Sequence, residues 1–328
     1  MIAIKKYILF LIINFTALLF VWKNLFTTDN TAVLLSYRFT FVCPQIWEQV
    51  GEGMRSADQD LGTSTRCIGL RNADEKQQAA AIRKAIYSRV TGIITAGNIA
   101  DEEVAEAIHM AQEEGIPVLL IDSDIPVSGR CGYVGPDNEA VGTQAGKELK
   151  KNMESGANIA VILSSLENQN QEERLKSFEK EIGNQQDMEI VCMIEDGGDS
   201  LQVRAKLLKA FQENPQINAI YCATETSSEV VGDALKNIGR QPGEVVVISF
   251  GMTEKIYRFL TDGWYQKSIM PDRFSEGLEA VRSLKSYVSR SKDFQEHIYI
   301  DTEAVGKEFE YEGWLEKGSG MEVTWDLS

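Results

Sequence analysis

The sequence predicts an α/β fold of parallel sheets flanked by helices, and three observations carry that prediction. Short apolar runs recur without polar alternation, as strands covered on both faces require. Between them lie segments of roughly 10–15 residues whose apolar positions repeat with the helical period, the rhythm of βαβ units. The chain has 328 residues, 43% of them hydrophobic, enough for one large sheet or two smaller ones. The pattern alone leaves that choice open.

Each element follows from its own residues. Val33–Leu35 reads as a strand. Trp47, Val50, Met54 and Leu61 then recur at helical spacing, with Gly62 placed to stop the helix. A short strand at Cys67-Ile68 precedes a helix over 74–89, with Ala79, Ile82 and Ile86 on one face. Gly92–Thr95 is a strand, and 101–114 is a helix presenting Val104, Ala107, Ile108 and Ala111. Pro117–Ile121 closes this half. The same rhythm returns with strands at 159–163, 189–194, 219–222 and 244–248 and helices near 170–184, 200–213 and 227–238. Gly239 ends the last of these. No Pro/Gly/Ser-rich linker divides the chain, so several crossings between lobes are expected rather than one tether.

The first 28 residues differ in kind. Lys5 and Lys6 precede an apolar run from Tyr7 to Trp22, and Lys23 comes after it. Such a run spans about 24 Å as a helix, and its flanking lysines can snorkel to make up the rest of a bilayer core. The positive charge ahead of it keeps the N-terminus cytoplasmic and exports the rest of the chain. We expect a cell-membrane anchor with the globular part on the extracytoplasmic face; secretion or periplasmic release after signal cleavage is the alternative.

Composition excludes several functions. The net charge of −16 repels phosphate backbones, which argues against nucleic acid as a partner. The two histidines, His109 and His297, stand at no strand end, and no GxSxG, Walker A, HExxH or GxGxxG motif is present. The five cysteines show no metal-ligand spacing. An enzyme is not expected, nor a cofactor or metal.

In open parallel sheets, ligands bind at the carboxyl ends of strands. Here that selects Ser36–Phe41, Ala96–Asn98, Asp122–Asp124, Ser164–Asn168, Thr224–Ser227 and Phe250–Met252.

The run EGIPVLLIDSDIP, followed by YVGPDNEAVGTQAGKEL, resembles the type I periplasmic binding proteins of the ribose- and galactose-binding kind. That family shares its fold with the effector-binding core of lac-repressor-type regulators. IWEQVGEGMRSADQDLG, ENPQINAIYCATETSSEVVGDAL and VVVISFG extend the likeness, in order, over about residues 33–300. The resemblance implies two similar doubly wound lobes joined by three crossovers, with a ligand buried between them by hinge closure. It places the crossovers near 135–137, 269–270 and 291–294. The lobes would then be 33–135 with 270–295, and 136–269 with 296–328, after a stub and anchor or signal segment at 1–28.

The resemblance also implies site residues. Asp122 matches the acid that accepts sugar hydroxyls, and Ser123 stands where the ribose-type pattern is basic. Arg174 matches the second-lobe arginine, and Trp47 lies near an aromatic that stacks on the sugar. Tyr37 and Arg38 enter as candidates from the loop expected after the first strand. Thr224 and Glu225 replace the usual Asn-Asp, Gly251 replaces the acid of Phe-Asp-Gly, and Ile269 replaces a glutamine. Asp137 and Asn138 are expected at the hinge. The expected ligand is small and polar, a sugar by default. The expected partners are that ligand, the membrane through the N-terminal segment, and either an ABC permease or a sensor histidine kinase.

Overall fold

The apolar runs that read as strands fall, in chain order, into two separate sheets. The computed structural model describes residues 37–43, 47–70, 75–97, 102–125, 128–185, 187–316 and 325–327. The expected membrane segment and the strand expected at Val33–Leu35 lie outside these residues.

The first sheet has the order β11 (His297–Ile300), β5 (Gly132–Pro136), β4 (Val118–Ile121), β3 (Gly92–Ala96), β1 (Arg38–Cys43), β2 (Ser64–Gly69) and β13 (Trp325–Leu327), all parallel. The second has the order β12 (Thr302–Val305), β10 (Lys267–Pro271), β9 (Val246–Phe250), β8 (Ala219–Cys222), β6 (Ala157–Leu163) and β7 (Met188–Glu195). Only β12 runs antiparallel within it.

Both sheets are covered on both faces, which is why the inner strands β3, β4, β5 and β8 are buried at every position. In β1, Phe39 and Phe41 join the core under α1 (Glu48–Leu61) and α9 (Arg273–Val288). Val42 points the other way, into the core under α2 (Glu75–Tyr87) and α3 (Glu102–Glu113). The second sheet repeats the plan, with α4 (Asn138–Asn152) and α5 (Gln169–Ile182) on one face. The other face carries α6 (Ser200–Glu213), α7 (Glu225–Ile238) and α8 (Glu254–Thr261). A short α10 (Tyr311–Glu316) comes after β12.

Side chains capping helices mark where the chain turns from strand to helix. Asp137, Asp199, Thr224, Thr253 and Asp272 each accept a backbone N–H of the helix they precede. The expected stops at Gly62 and Gly239 both hold, with φ of 63° and 87°.

The chain crosses between lobes at Asp137, Asp272 and Asp301. At the last, β11 extends the first sheet beside β5 while β12 joins the second beside β10. The third crossover therefore lies at residue 301, not at 291–294, and residues 297–300 belong to the first lobe. The expected division also misses β13, which returns the chain to the first sheet next to β2. The second and third crossings are tied together where Asp272 N–H donates to the Asp301 carbonyl at 3.0 Å.

Candidate ligand-binding site

The crossovers bring the carboxyl ends of both sets of strands toward each other, and most of the expected residues meet there. Asp122 comes directly after β4. Its φ of 59° is left-handed, an uncommon state for a non-glycine residue and a form of strain that clusters at functional sites. From the second lobe comes Arg174, on α5 and 2% exposed. Its Nε donates to Asn138 Oδ1 and its Nη1 to the Ala223 carbonyl, both at 2.8 Å. The guanidinium lies 3.7 Å over the Phe250 ring. Its Nη2 is buried with no partner among the described residues, a donor left unspent there.

Two residues absent from the expected set dominate the electrostatics. Arg273, the first residue of α9, donates from Nη1 to Asp122 Oδ1 at 2.9 Å and to Glu276 Oε2 at 2.7 Å. The same guanidinium lies 4.8 Å from the Trp47 ring centroid. Burial works against the Asp122 carboxylate, but Arg273 and Arg174 outweigh it and hold its pKa below the ordinary value. Glu276, whose side chain is 0% exposed, is pushed up to about 7 by burial despite Arg273. Arg273 itself is held further toward its charged form, because Glu276, Asp122 and Glu225 overcome the cost of burying it. The signal for this pair was local: Arg273 and Glu276 stand one turn apart just after Pro271-Asp272, at the second crossing.

The second lobe recovers a carboxylate in an unexpected way. Gly251 stands where the family pattern has an acid, with φ of 86°. A Cβ there would overlap the Glu225 carboxylate, so Glu225 fills the space that acid would use. Glu225 Oε2 accepts the Met252 N–H at 3.2 Å, and burial raises the pKa of its carboxyl.

The other expected residues divide. Ser123 is buried with its Oγ unpartnered, and Trp47 Nε1 is likewise buried without an acceptor among the described residues. Thr224 spends its hydroxyl on the α7 cap, accepting from Ser227 N–H at 3.2 Å. Asp137 caps α4 at the first crossing, and Asn138 holds Arg174 rather than serving only as hinge. Ile269 is fully buried in the second core.

Tyr37 and Arg38 do not belong to the site. Residues 38–43 are β1 itself, registered from Arg38 against Ser64. These two side chains therefore lie at the amino end of that strand, roughly 17 Å along it from the carboxyl end that faces the cleft. The alternation of Arg38, Phe39, Thr40 and Phe41 was the strand signal.

A cavity of about 360 Å³ opens on this cluster, lined by Trp47, Glu225 and Arg273 among others. A second, of about 450 Å³, runs along the first crossing beside Asp137, Asn138 and Asn170. Asn170 is 7% exposed, and its Oδ1 has no partner among the described residues.

Residues 43–292 match the family model described as the periplasmic binding protein domain. The chain belongs to that family. This periplasmic binding protein is 22% identical over 264 residues to the D-apiose import binding protein of Actinobacillus succinogenes, covering 78% of this chain and 84% of that one. It is 22% identical over 216 residues to the D-allose-binding periplasmic protein of Escherichia coli, covering 63% and 70%. GanP, a glucose-galactose binding protein from Geobacillus stearothermophilus, superposes with a TM-score of 0.79 at 26% identity, covering 83% of this chain and 98% of that structure. These relatives are binding proteins, not enzymes.

Proposed function

We propose that this chain is an extracytoplasmic sugar receptor that captures its ligand between the lobes for transport across the membrane. The observation that carries the reading is the convergence of Asp122 from one lobe and Arg174 from the other, near enough for the guanidinium to help hold the carboxylate ionised. Each bears a buried charge, and the arginine keeps one donor unspent among the described residues. A sugar hydroxyl both donates to a carboxylate and accepts from a guanidinium, so one ligand serves both lobes and makes closure favourable. The sugar-binding relatives support the ligand class.

In this reading Ser123, Trp47 and Glu225 complete the contacts, with Trp47 offering a ring to an apolar sugar face. Delivery is to an ABC permease, and the apolar run at Tyr7–Trp22 tethers the receptor to the outer face of the membrane. Signalling to a sensor histidine kinase makes a separate prediction: deletion of the gene would then abolish sugar-induced transcription while leaving uptake intact.

The test is thermal unfolding of the full chain against pentoses and hexoses. A sugar present at about 1,000 times its Kd adds about 4.1 kcal/mol to the folded state. Asp122→Asn should remove that shift for the sugar that produces it. A panel in which no pentose or hexose raises the melting temperature would sink the carbohydrate assignment.

A further inference from the structure

The cavity on Arg273 has a wall built by residues that follow the family match. Its lining includes Trp47 and Gln49 from the first lobe, Glu225 from the second, Arg273 at the crossing, and Tyr311 and Trp314 from α10. The family match ends at residue 292, and both α10 aromatics lie C-terminal to it. They are held in place by rings: Tyr311 stacks on Tyr257 at 5.0 Å, and Trp314 packs on Tyr311 at 5.5 Å and Phe309 at 5.9 Å. Burial, with Glu254, Glu225 and Glu48 nearby, raises the pKa of the Tyr311 phenol. Glu48, Glu225 and Glu254 line the same cavity as Tyr311 and Trp314, so α10 faces acids of both lobes.

The open space does not end there. Gln49 and Trp314 also line a neighbouring cavity of about 260 Å³, whose other walls include Asp272, Asp301, Thr302 and Glu303. Aromatic faces bordered by carboxylates and a hydroxyl are the lining that sugar rings require. Trp47 and the α10 pair form two separate aromatic walls along this space.

We propose that α10 builds a second sugar subsite, so that the ligand is a disaccharide. One ring sits against Trp47 and Glu225, and the other lies against Tyr311 and Trp314. The inference rests on the carbohydrate reading above and adds to it the length of the ligand.

Isothermal titration of the full chain tests it, with glucose and galactose against maltose, cellobiose, lactose and melibiose. At least one disaccharide should bind tenfold or more tightly than its component monosaccharides. Trp314→Ala should erase that advantage and leave monosaccharide affinity within twofold. Because Trp314 also packs on its neighbours, Gln49→Trp serves as a second variant: it fills the subsite without removing a packed ring, and should produce the same selective loss. Binding of a monosaccharide with no disaccharide preferred, or a preference untouched by both variants, overturns the two-ring assignment and leaves the sugar reading standing. Absence of binding by every sugar overturns both.

Discussion

Replacing Arg273 by Met should unfold this protein more readily than any other change at the site, and with a definite pH dependence. The guanidinium is the shared cation for two carboxylates: its side chain is 13% exposed, that of Asp122 is 15% and that of Glu276 is 0%. Met keeps much of the aliphatic volume against Trp47 but leaves two acids facing each other in a poorly solvated space. Removing one partner of a buried pair costs about 3–5 kcal/mol, because the remaining charge stays uncompensated. At about 2–4 °C per kcal/mol for a domain near 200 residues, the melting temperature falls by roughly 6–20 °C. The loss should be largest near pH 8. Without the cation the folded-state pKa values of Asp122 and Glu276 both rise, so the folded variant binds protons that the unfolded chain does not. Its stability therefore recovers as pH falls. Urea unfolding at pH 8 and pH 5 measures both effects, and Glu276→Gln in the Arg273→Met background should restore part of the loss at pH 8. An Arg273→Met variant within about 1 kcal/mol of the parent at pH 8, or a deficit equal at both pH values, would refute the shared-cation account.

Two further outcomes rest on buried carboxyls and on a tight helix crossing. In the parent protein, burial holds Glu276 at about 7, above its ordinary 4.5, and Asp196 at about 6, above 3.8. The folded state therefore carries extra protons in these windows, and stability falls as pH rises through them. Below about pH 4 the depressed Asp122 reverses the sign, so urea midpoints should peak in mild acid; a steady rise up to pH 8 would contradict this. Gly277→Ala should destabilise by about 1–3 kcal/mol although Ala is the better helix former, because a Cβ there would overlap the Val50 carbonyl where α9 crosses α1. Calorimetry of that variant reads the difference directly, and an unchanged or higher melting temperature would show that the helices can separate at little cost.

How much of this was legible in the sequence depends on the range over which each signal acts. The strands expected at 92–95, 117–121, 159–163, 189–194 and 219–222 and the stops at Gly62 and Gly239 rest on local pattern and stand where it puts them. The strand expected at 244–248 lies instead at Val246–Phe250, and β5 and β10 gave no such signal. Asp122 and Arg174 are legible because a strand end and a family motif point to the same positions. Tyr37 and Arg38 are misplaced for a single reason. With the first strand set at Val33–Leu35, residues 38–43 become the loop after it, whereas they form β1. A shift of that length puts the amino end of the strand where its carboxyl end should be. The third crossover escapes detection because His297–Ile300 buries only one strong strand residue, Ile300. Its assignment depends on pairing with β5, which no local pattern reveals.

The charge balance of the site lies at the far limit of that range. Judged position by position, the chain lacks an acid at Gly251 and a polar group at Ile269, and the pocket reads as depleted. In three dimensions Glu225 fills the space beside Gly251, while Arg273 and Glu276 reach Asp122 from a helix that begins 151 positions downstream. The site holds its carboxylates in another arrangement, and Arg273 supplies a cation beside Asp122 where Ser123 does not. A substitution at one expected contact is thus weak evidence against binding when the lobes can supply the same chemistry from another strand end. It is stronger evidence about specificity. Arg273 already spans Asp122 and Trp47, and the open space beside it runs from Trp47 toward Tyr311 and Trp314.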